Sequence, residues 1–249
     1  MNNIIYKNKS FLLKVKRFLN STFKFDLIKY PNAELDRRIK ILNNLNISLV
    51  MDVGANIGQY GSELRSIGYK KKIISFEPTS DAFKKLKKIS KKDLSWEVRN
   101  CSLGDFDGET EINISKNSVS SSILTNLPQL IESAPEAKYI NKEKIKMKML
   151  DTIFNENPYE NESIYLKIDT QGFEEKVLNG ASINLSKIKI IQIEMALVPS
   201  YEGTLSFQEM TKKLNNMDFE VFSIESGYYD KKTGRLLEVD GIFINKKLE

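Results

Sequence analysis

The sequence predicts an α/β fold: a mostly parallel sheet flanked by helices, with an antiparallel last strand. Three observations point there. Short apolar runs alternate with helical patterns from residue 49 onward. The first run ends at Asp52 and leads into a turn bracketed by Gly54 and Gly58. The last two runs are joined by a turn-like stretch from Gly227 to Gly234. That is too short for a parallel crossover, which needs about a dozen residues or more.

The elements follow in order. Residues 8–28 form an amphipathic helix, because Phe11, Leu12, Val15, Phe18, Leu19, Thr22 and Phe23 recur at helical spacing. Lys14, Lys16, Arg17 and Lys24 lie mostly outside that stripe. The helix serves either as a lid on its own domain or as an attachment to an anionic membrane surface or a partner. A second helix covers 33–45. Strands at 49–52, 72–77 and 95–100 alternate with helices near 57–67 and 80–90. Lys84, Lys85, Lys87, Lys88, Lys91 and Lys92 crowd the latter helix and its end, as a solvated face or a phosphate-binding patch.

Residues 109–150 break the alternation. Strand patterns at 109–115 and 144–150 flank a serine-rich loop, Ser118–Ser122, and form a β-rich insertion placed to cover a site. Asp151 is expected to cap a short helix, 152–155. After Pro158 the alternation resumes. A strand at 163–168 ends in Asp169, Gly172 turns the chain, and a helix covers 173–180. A strand at 188–193 ends in Glu194, and a helix covers 206–216. Strands at 219–224 and 240–245 close the sheet. One domain, 49–249, therefore follows an N-terminal basic helical extension, 1–48.

Composition narrows the chemistry. Among the 249 residues there is one cysteine, Cys101, and no histidine. Intrachain disulfides, cysteine zinc clusters and histidine-based triads or general bases are excluded. Proton transfer falls to carboxylates, Lys, Tyr or water. The net charge of +5 is uneven: residues 1–48 hold ten Lys/Arg against three Asp/Glu, and the remainder 28 against 30. A nucleic-acid binder would carry its basic stripe along the body, so none is expected as partner. No run of about 18 apolar residues is present, and no secretory signal. A cytoplasmic protein is expected, with peripheral contact at the inner membrane surface open through residues 8–28.

Strand, glycine turn, helix, strand, acid is the layout of a nucleotide-type cofactor site at the edge of a parallel sheet. Gly54 lets the chain turn sharply, and Gly58 permits close approach at the helix start. The spacing is G-x-x-x-G: Asn56 sits where a dinucleotide fingerprint carries glycine. A pyrophosphate needs close backbone approach there. S-adenosylmethionine has no phosphate and is cationic, which suits Asn56 and the strand-end acid Asp52 better. Glu77, at the tip of the second strand, is placed to accept hydrogen bonds from both ribose hydroxyls. Asp105 in SerLeuGlyAsp (102–105) is placed to meet the adenine edge.

With these blocks the chain resembles the FkbM-type family of S-adenosylmethionine-dependent methyltransferases. The resemblance covers most of residues 49–224. It rests on AspValGlyAlaAsnIleGlyGlnTyrGly (52–61), IleSerPheGluPro (74–78), SerLeuGlyAsp (102–105), SerSerIleLeu (121–124), MetLeuAspThrIle (149–153), LysIleAspThrGlnGlyPheGlu (167–174) and GlnIleGlu (192–194). It implies the class I methyltransferase fold, a seven-stranded, Rossmann-like, mostly parallel sheet with an antiparallel last strand. It further implies methylation of hydroxyl oxygens on natural products or saccharides. Cofactor roles fall on Asp52, Gly54, Asn56, Glu77 and Asp105. Residues 1–48 inherit nothing from it.

Methyl transfer to an alcohol needs alignment of nucleophile, methyl and leaving sulfur, and a base within hydrogen-bond reach. Asp169 is the first candidate, as base, as cofactor-orienting carboxylate or as helix cap. Glu194 is the second, as base or as a substrate hydroxyl anchor. Lys167 shares a strand face with Asp169 and supports it, stabilises a developing alkoxide, or makes a structural ion pair. Glu174 suits the first turn of a helix. Asp169 and Glu194 offer oxygens of the kind Mg²⁺ takes, with no third ligand identifiable. Cys101 reads as a buried filler. Two other classes compete: a nicotinamide-dependent oxidoreductase and a non-catalytic scaffold in glycan assembly. Asn56 opposes the first, as does a Tyr-x-x-x-Lys pair found only at Tyr228–Lys232. Intact Asp52, Glu77 and Asp169 oppose the second.

Overall fold

The computed structural model describes residues 2–26, 28–157 and 159–248, with side chains from residue 11 onward. Pro158 lies outside the described residues. The chain divides into two compact units, residues 1–39 and 40–249. The division falls inside the second helix because Ile41 and Leu42 belong to the core of the larger unit.

In the smaller unit α1 covers Asn2–Phe23, starting earlier and stopping sooner than the apolar spacing predicts. Lys24 takes a left-handed φ of 59° and ends the helix there. Phe11, Leu12, Phe18 and Phe23 stay more than half exposed. α2 is Ala33–Asn44.

The larger unit is built on β1 (Leu49–Val53), β2 (Lys72–Phe76), β3 (Trp96–Arg99), β7 (Ile164–Ile168), β8 (Ile188–Ala196), β9 (Phe219–Ser226) and β10 (Glu238–Asn245). They form one sheet in the order β3-β2-β1-β7-β8-β10-β9. β10 alone runs against its neighbours, β8 and β9. The sheet is therefore seven-stranded and mostly parallel with an antiparallel last strand, the class I methyltransferase architecture. β8 runs past Glu194 to Ala196 because Glu238 on β10 pairs with Ala196.

β1 and β7 are buried at every position, as central parallel strands covered on both sides must be. Residues of alternate parity feed two cores. Met51, Phe76, Leu166 and Ile193 pack with Leu150 and Phe154 of α6 (Leu150–Glu156), Val177 of α7 (Glu174–Asn179) and Leu214 of α8 (Phe207–Asn216). Val50, Ile73, Tyr165 and Ile242 pack with Leu64 of α3 (Gln59–Ser66) and Leu86 of α4 (Ser80–Ser90). α8 starts on a full capping box, Ser206 with Glu209.

The expected insertion is a separate three-stranded sheet, ordered β4-β6-β5, of β4 (Ser102–Leu103), β5 (Gly108–Ser115) and β6 (Tyr139–Lys148), with α5 (Pro128–Ser133) in its loop. β6 starts earlier than its Lys/apolar alternation suggests and ends at Lys148 because Met149 is the N-cap of α6. Asp151 does not cap that helix. It sits in the first turn and accepts from the backbone N–H groups of Ile183 and Asn184 at 3.0 Å. Asp107 braces the start of the helix from outside, accepting from Met149 N–H at 2.8 Å and the Thr152 hydroxyl at 2.6 Å.

Candidate active site

At the carboxyl edge of the sheet, Ser75, Asp52, Lys167 and Gln192 stand side by side on β2, β1, β7 and β8. All four are buried on the same face. The Trp96 indole N–H donates to Ser75 Oγ at 3.0 Å, and Ser75 donates to Asp52 at 3.1 Å. The Lys167 ammonium stands 3.4 Å from Asp52 and 3.2 Å from Asp169. It lies over the Tyr60 ring, 5.4 Å from its centroid. Gln192 accepts from the hydroxyls of Tyr60 and Tyr165, each at 2.8 Å. A row of polar residues inside an apolar core is costly unless its members satisfy one another, and this one nearly does: Asp52 Oδ1 receives no hydrogen bond and has only the ammonium nearby.

The burial separates the two aspartates. The Asp52 side chain is 0% exposed and the Asp169 side chain 36%. Asp52, expected to meet the cofactor itself, reaches the cleft only through Lys167. Burial raises the Asp52 carboxyl, against lowering by Lys167 and Ser75. Burial alone would lower Lys167, but Asp169 and Asp52 outweigh it and hold the ammonium charged.

The glycine turn is closed on itself. Gly54 and Ala55 donate to the Phe76 carbonyl, Asn56 to the Glu77 carboxylate, Ile57 to the Asn56 side chain and Gly58 to the Ala55 carbonyl. None of these five amides is left to cradle a phosphate. The glycines answer to protein contacts. A Cβ on Gly54 would lie 1.8 Å from the Asp169 carbonyl oxygen, and one on Gly58 2.9 Å from Leu86. Gly58 thus eases packing of helix on helix rather than approach of a ligand. Asn56, at φ 47°, also donates to the Ser118 carbonyl at 3.4 Å, so the insertion does reach the turn.

Glu77 follows β2 directly and is buried. It accepts from Asn56 N–H at 2.9 Å, from Thr79 N–H at 2.8 Å and from the Thr79 hydroxyl at 2.5 Å. Burial raises it while those three donors lower it. A carboxylate offers about four acceptor sites, so capacity remains for a ribose hydroxyl. The Asp105 carboxylate pairs with Lys176 of α7 at 2.9 Å. Asn100 holds the position just past β3, donating to the Glu77 and Pro78 carbonyls at 2.9 Å.

The loop after β7 gathers the remaining groups. Gln171, at φ 57°, donates to Asp169 and to Glu194 at 3.0 Å each and accepts from Tyr201 at 2.7 Å. Its carbonyl accepts from Ser122 of the insertion at 2.7 Å. Sequence reasoning brought Asp169, Lys167 and Glu194 to this edge and missed Gln171, Tyr201, Tyr60 and Gln192. The missed four are neutral and carry no charge signal; Gln192 alone lies on a strand, while Tyr60 is on α3 and Gln171 and Tyr201 are in loops. Burial raises Glu194 well above the usual carboxylate range, and the charges of Asp169, Glu238, Glu174 and Asp240 add to it. Burial likewise pushes Glu174 up to about 7. Glu174 accepts from Thr170 and Gly172 and closes the loop as well as sitting in the first turn of α7. Cys101 is free and buried, its thiol pushed up to about 11, as an inert filler.

Among the described residues no group of three or more acidic, cysteine or histidine residues is arranged to hold a metal. The edge instead presents carboxylates around the single ammonium of Lys167. That donor set fits a cationic sulfonium with its own ammonium group and repels a pyrophosphate. Glu77, with acceptor capacity to spare beside the Asn56 turn, is the residue that would hold such a molecule.

Several solved structures are similar to the chain at low identity. TrmK of M. capricolum, solved with S-adenosylhomocysteine, has 11% identity and a TM-score of 0.48, over 88% of this chain and 70% of that one. The M1A22 tRNA methyltransferase TrmK of B. subtilis has 11% identity and a TM-score of 0.45, over 85% and 65%. TehB of Haemophilus influenzae has 11% identity and a TM-score of 0.45, over 93% and 67%. At this distance the likenesses say nothing of substrate. No curated protein matches the chain. The family model for the methyltransferase FkbM domain matches residues 52–221, most of the chain. The chain therefore belongs to the FkbM methyltransferase family, with S-adenosylmethionine as its cofactor.

Proposed function

We propose that this methyltransferase moves a methyl group from S-adenosylmethionine to a hydroxyl oxygen of a saccharide or related natural product. The observation that carries the reading is Asp169: a part-exposed carboxylate at the end of β7, steadied by Lys167 on one oxygen and Gln171 on the other. S-adenosylmethionine, when bound, supplies a methyl carbon activated by its sulfonium. Asp169 accepts the hydroxyl proton as the oxygen–carbon bond forms. Lys167 offsets the charge of Asp169 and of an oxygen gaining negative character. Glu194, beside Asp169 and held by Gln171, anchors a neighbouring acceptor hydroxyl. Ser118 and Ser122 bring the insertion over the cleft and screen it from water.

The turn supports this over a nicotinamide-dependent oxidoreductase, because its five amides are already satisfied. The intact carboxylate edge supports catalysis over a scaffold role. Peripheral attachment through residues 8–28, to a membrane or a partner, belongs to the same reading and is supported by the exposed Phe11, Leu12, Phe18 and Phe23. Among the described residues no helix is long and apolar enough to cross a membrane.

The test has two arms. Calorimetry of the purified protein is expected to show binding of S-adenosylmethionine and none of NAD. Mass spectrometry is expected to show methyl transfer into glycan or lipid-linked glycan extracts of the host. Asp169→Asn is expected to lower transfer by about 10²–10⁴-fold with cofactor affinity little changed. Equal loss of both makes Asp169 a cofactor ligand and overturns its role as base.

A further inference from the structure

A basic face lies on the side of α4 opposite the core. Lys84, Lys87, Lys88 and Lys91 fall at i, i+3, i+4 and i+7, a single stripe, while Ala82, Leu86 and Ser90 of the other stripe are buried. Like charges at three- and four-residue spacing repel one another. The nearby acids do not neutralise them. Asp81 reaches Lys84 at 3.8 Å and is almost fully exposed. Asp93 is held by Arg65 at 2.6 Å, and Glu97 by Arg99 at 2.6 Å. Among the described residues the ammonium groups of Lys87, Lys88 and Lys91 make no hydrogen bond or ion pair. With Lys72 they line a groove of about 990 Å³ between α4 and the edge strand β3. Leu94, just past the helix, is fully exposed at the groove's margin.

The chemistry of the face selects among anionic partners. It is all lysine, and lysine offers a point charge where arginine offers a bidentate fork for individual phosphates. It presents an aliphatic tip and no stacking platform: the single Trp96 is buried with its N–H on Ser75, whereas single-stranded nucleic acid is held on aromatic faces. Clustered lysines beside an exposed apolar side chain match a bilayer carrying acidic headgroups. The body of the chain, residues 49–249, is slightly acidic, so this face is a local feature and not a general basicity. We infer that the Lys84–Lys91 stripe, with Leu94 at its end, docks the methyltransferase domain on an anionic phospholipid bilayer. This inference is independent of the acceptor proposed above.

Full-length protein is sedimented with phosphatidylcholine vesicles, with or without phosphatidylglycerol, at low and high salt. Binding is expected with phosphatidylglycerol only, and is lost at high salt. Joint replacement Lys84→Gln, Lys87→Gln, Lys88→Gln and Lys91→Gln is expected to weaken partitioning on the order of a thousandfold. Leu94→Ser is expected to weaken it several-fold. The measurements are repeated with Phe11→Ser and Phe18→Ser, so that α1 cannot mask the effect. Far-UV circular dichroism checks that the exposed replacements leave the fold intact. Vesicle binding that survives the fourfold replacement in that background overturns the inference. So does equal binding to uncharged vesicles, absence of vesicle binding, or preferential capture of RNA over the vesicles.

Discussion

Replacing Glu174 by glutamine is expected to remove a pH dependence from the stability of this protein. Glu174 is buried, and one of its oxygens accepts from Thr170 N–H at 2.8 Å, the Thr170 hydroxyl at 3.1 Å and Gly172 N–H at 3.2 Å. Burial raises its carboxyl from 4.5 to about 7, and the charge of Asp169 adds to the rise. Between those values the folded protein keeps a proton that the unfolded chain has released, so stability falls as pH rises. The contribution is whole below about 4.5 and lost once pH passes about 7. At about 1.4 kcal/mol per unit, the interval corresponds to about 3 kcal/mol. Glutamine keeps the accepting oxygen and removes the titration. Glu174→Gln is expected to match the parent near pH 4.5 and to exceed it by about 3 kcal/mol at about pH 8. Urea denaturation of both proteins at several pH values across that interval measures the difference. A gap that stays constant with pH refutes the assignment of the proton to Glu174.

Three further changes probe the edge of the sheet. Gly54→Ala places a Cβ 1.8 Å from the Asp169 carbonyl at a φ of 79°; a stability loss of about 2–4 kcal/mol is expected in urea, and a neutral effect means the turn and the β7 loop are not in contact. Lys167→Met leaves Asp52 and Asp169 without their shared cation and is expected to cost about 3–5 kcal/mol at neutral pH, shrinking in acid as the Asp52 carboxyl is protonated; denaturation at two pH values checks it. Glu77→Ala is expected to weaken S-adenosylmethionine binding by about 1–3 kcal/mol and to loosen the turn, because Asn56 and Thr79 lose their acceptor. Unchanged affinity by calorimetry ends the ribose assignment.

The main sheet was legible because central parallel strands must be apolar on both faces. β1, β2, β7 and β8 each read as a short apolar run ending near an acid, and the helices between them kept their 3.6-residue period. Ends were less legible. β8 outruns Glu194 because pairing with β10 continues, and the start of α6 is braced by Asp107, distant in sequence. The insertion was visible as a change of period, but its contacts with Asn56 and Gln171 were not.

Of the site, the chain order alone identified the acids at strand ends and, through the absent histidines, left carboxylates as the bases. It also identified the glycine turn and, in Asn56, the departure from a phosphate-binding loop. Only the tertiary structure decided how the acids divide: Asp52 is sealed beneath Lys167, Asp169 is part-exposed, Glu194 is raised by burial and neighbouring charge, and Asp105 is paired with Lys176. Spacing sets which residues reach the edge of a sheet. Burial and neighbouring charge, which depend on elements far apart in sequence, set what each carboxyl can do there.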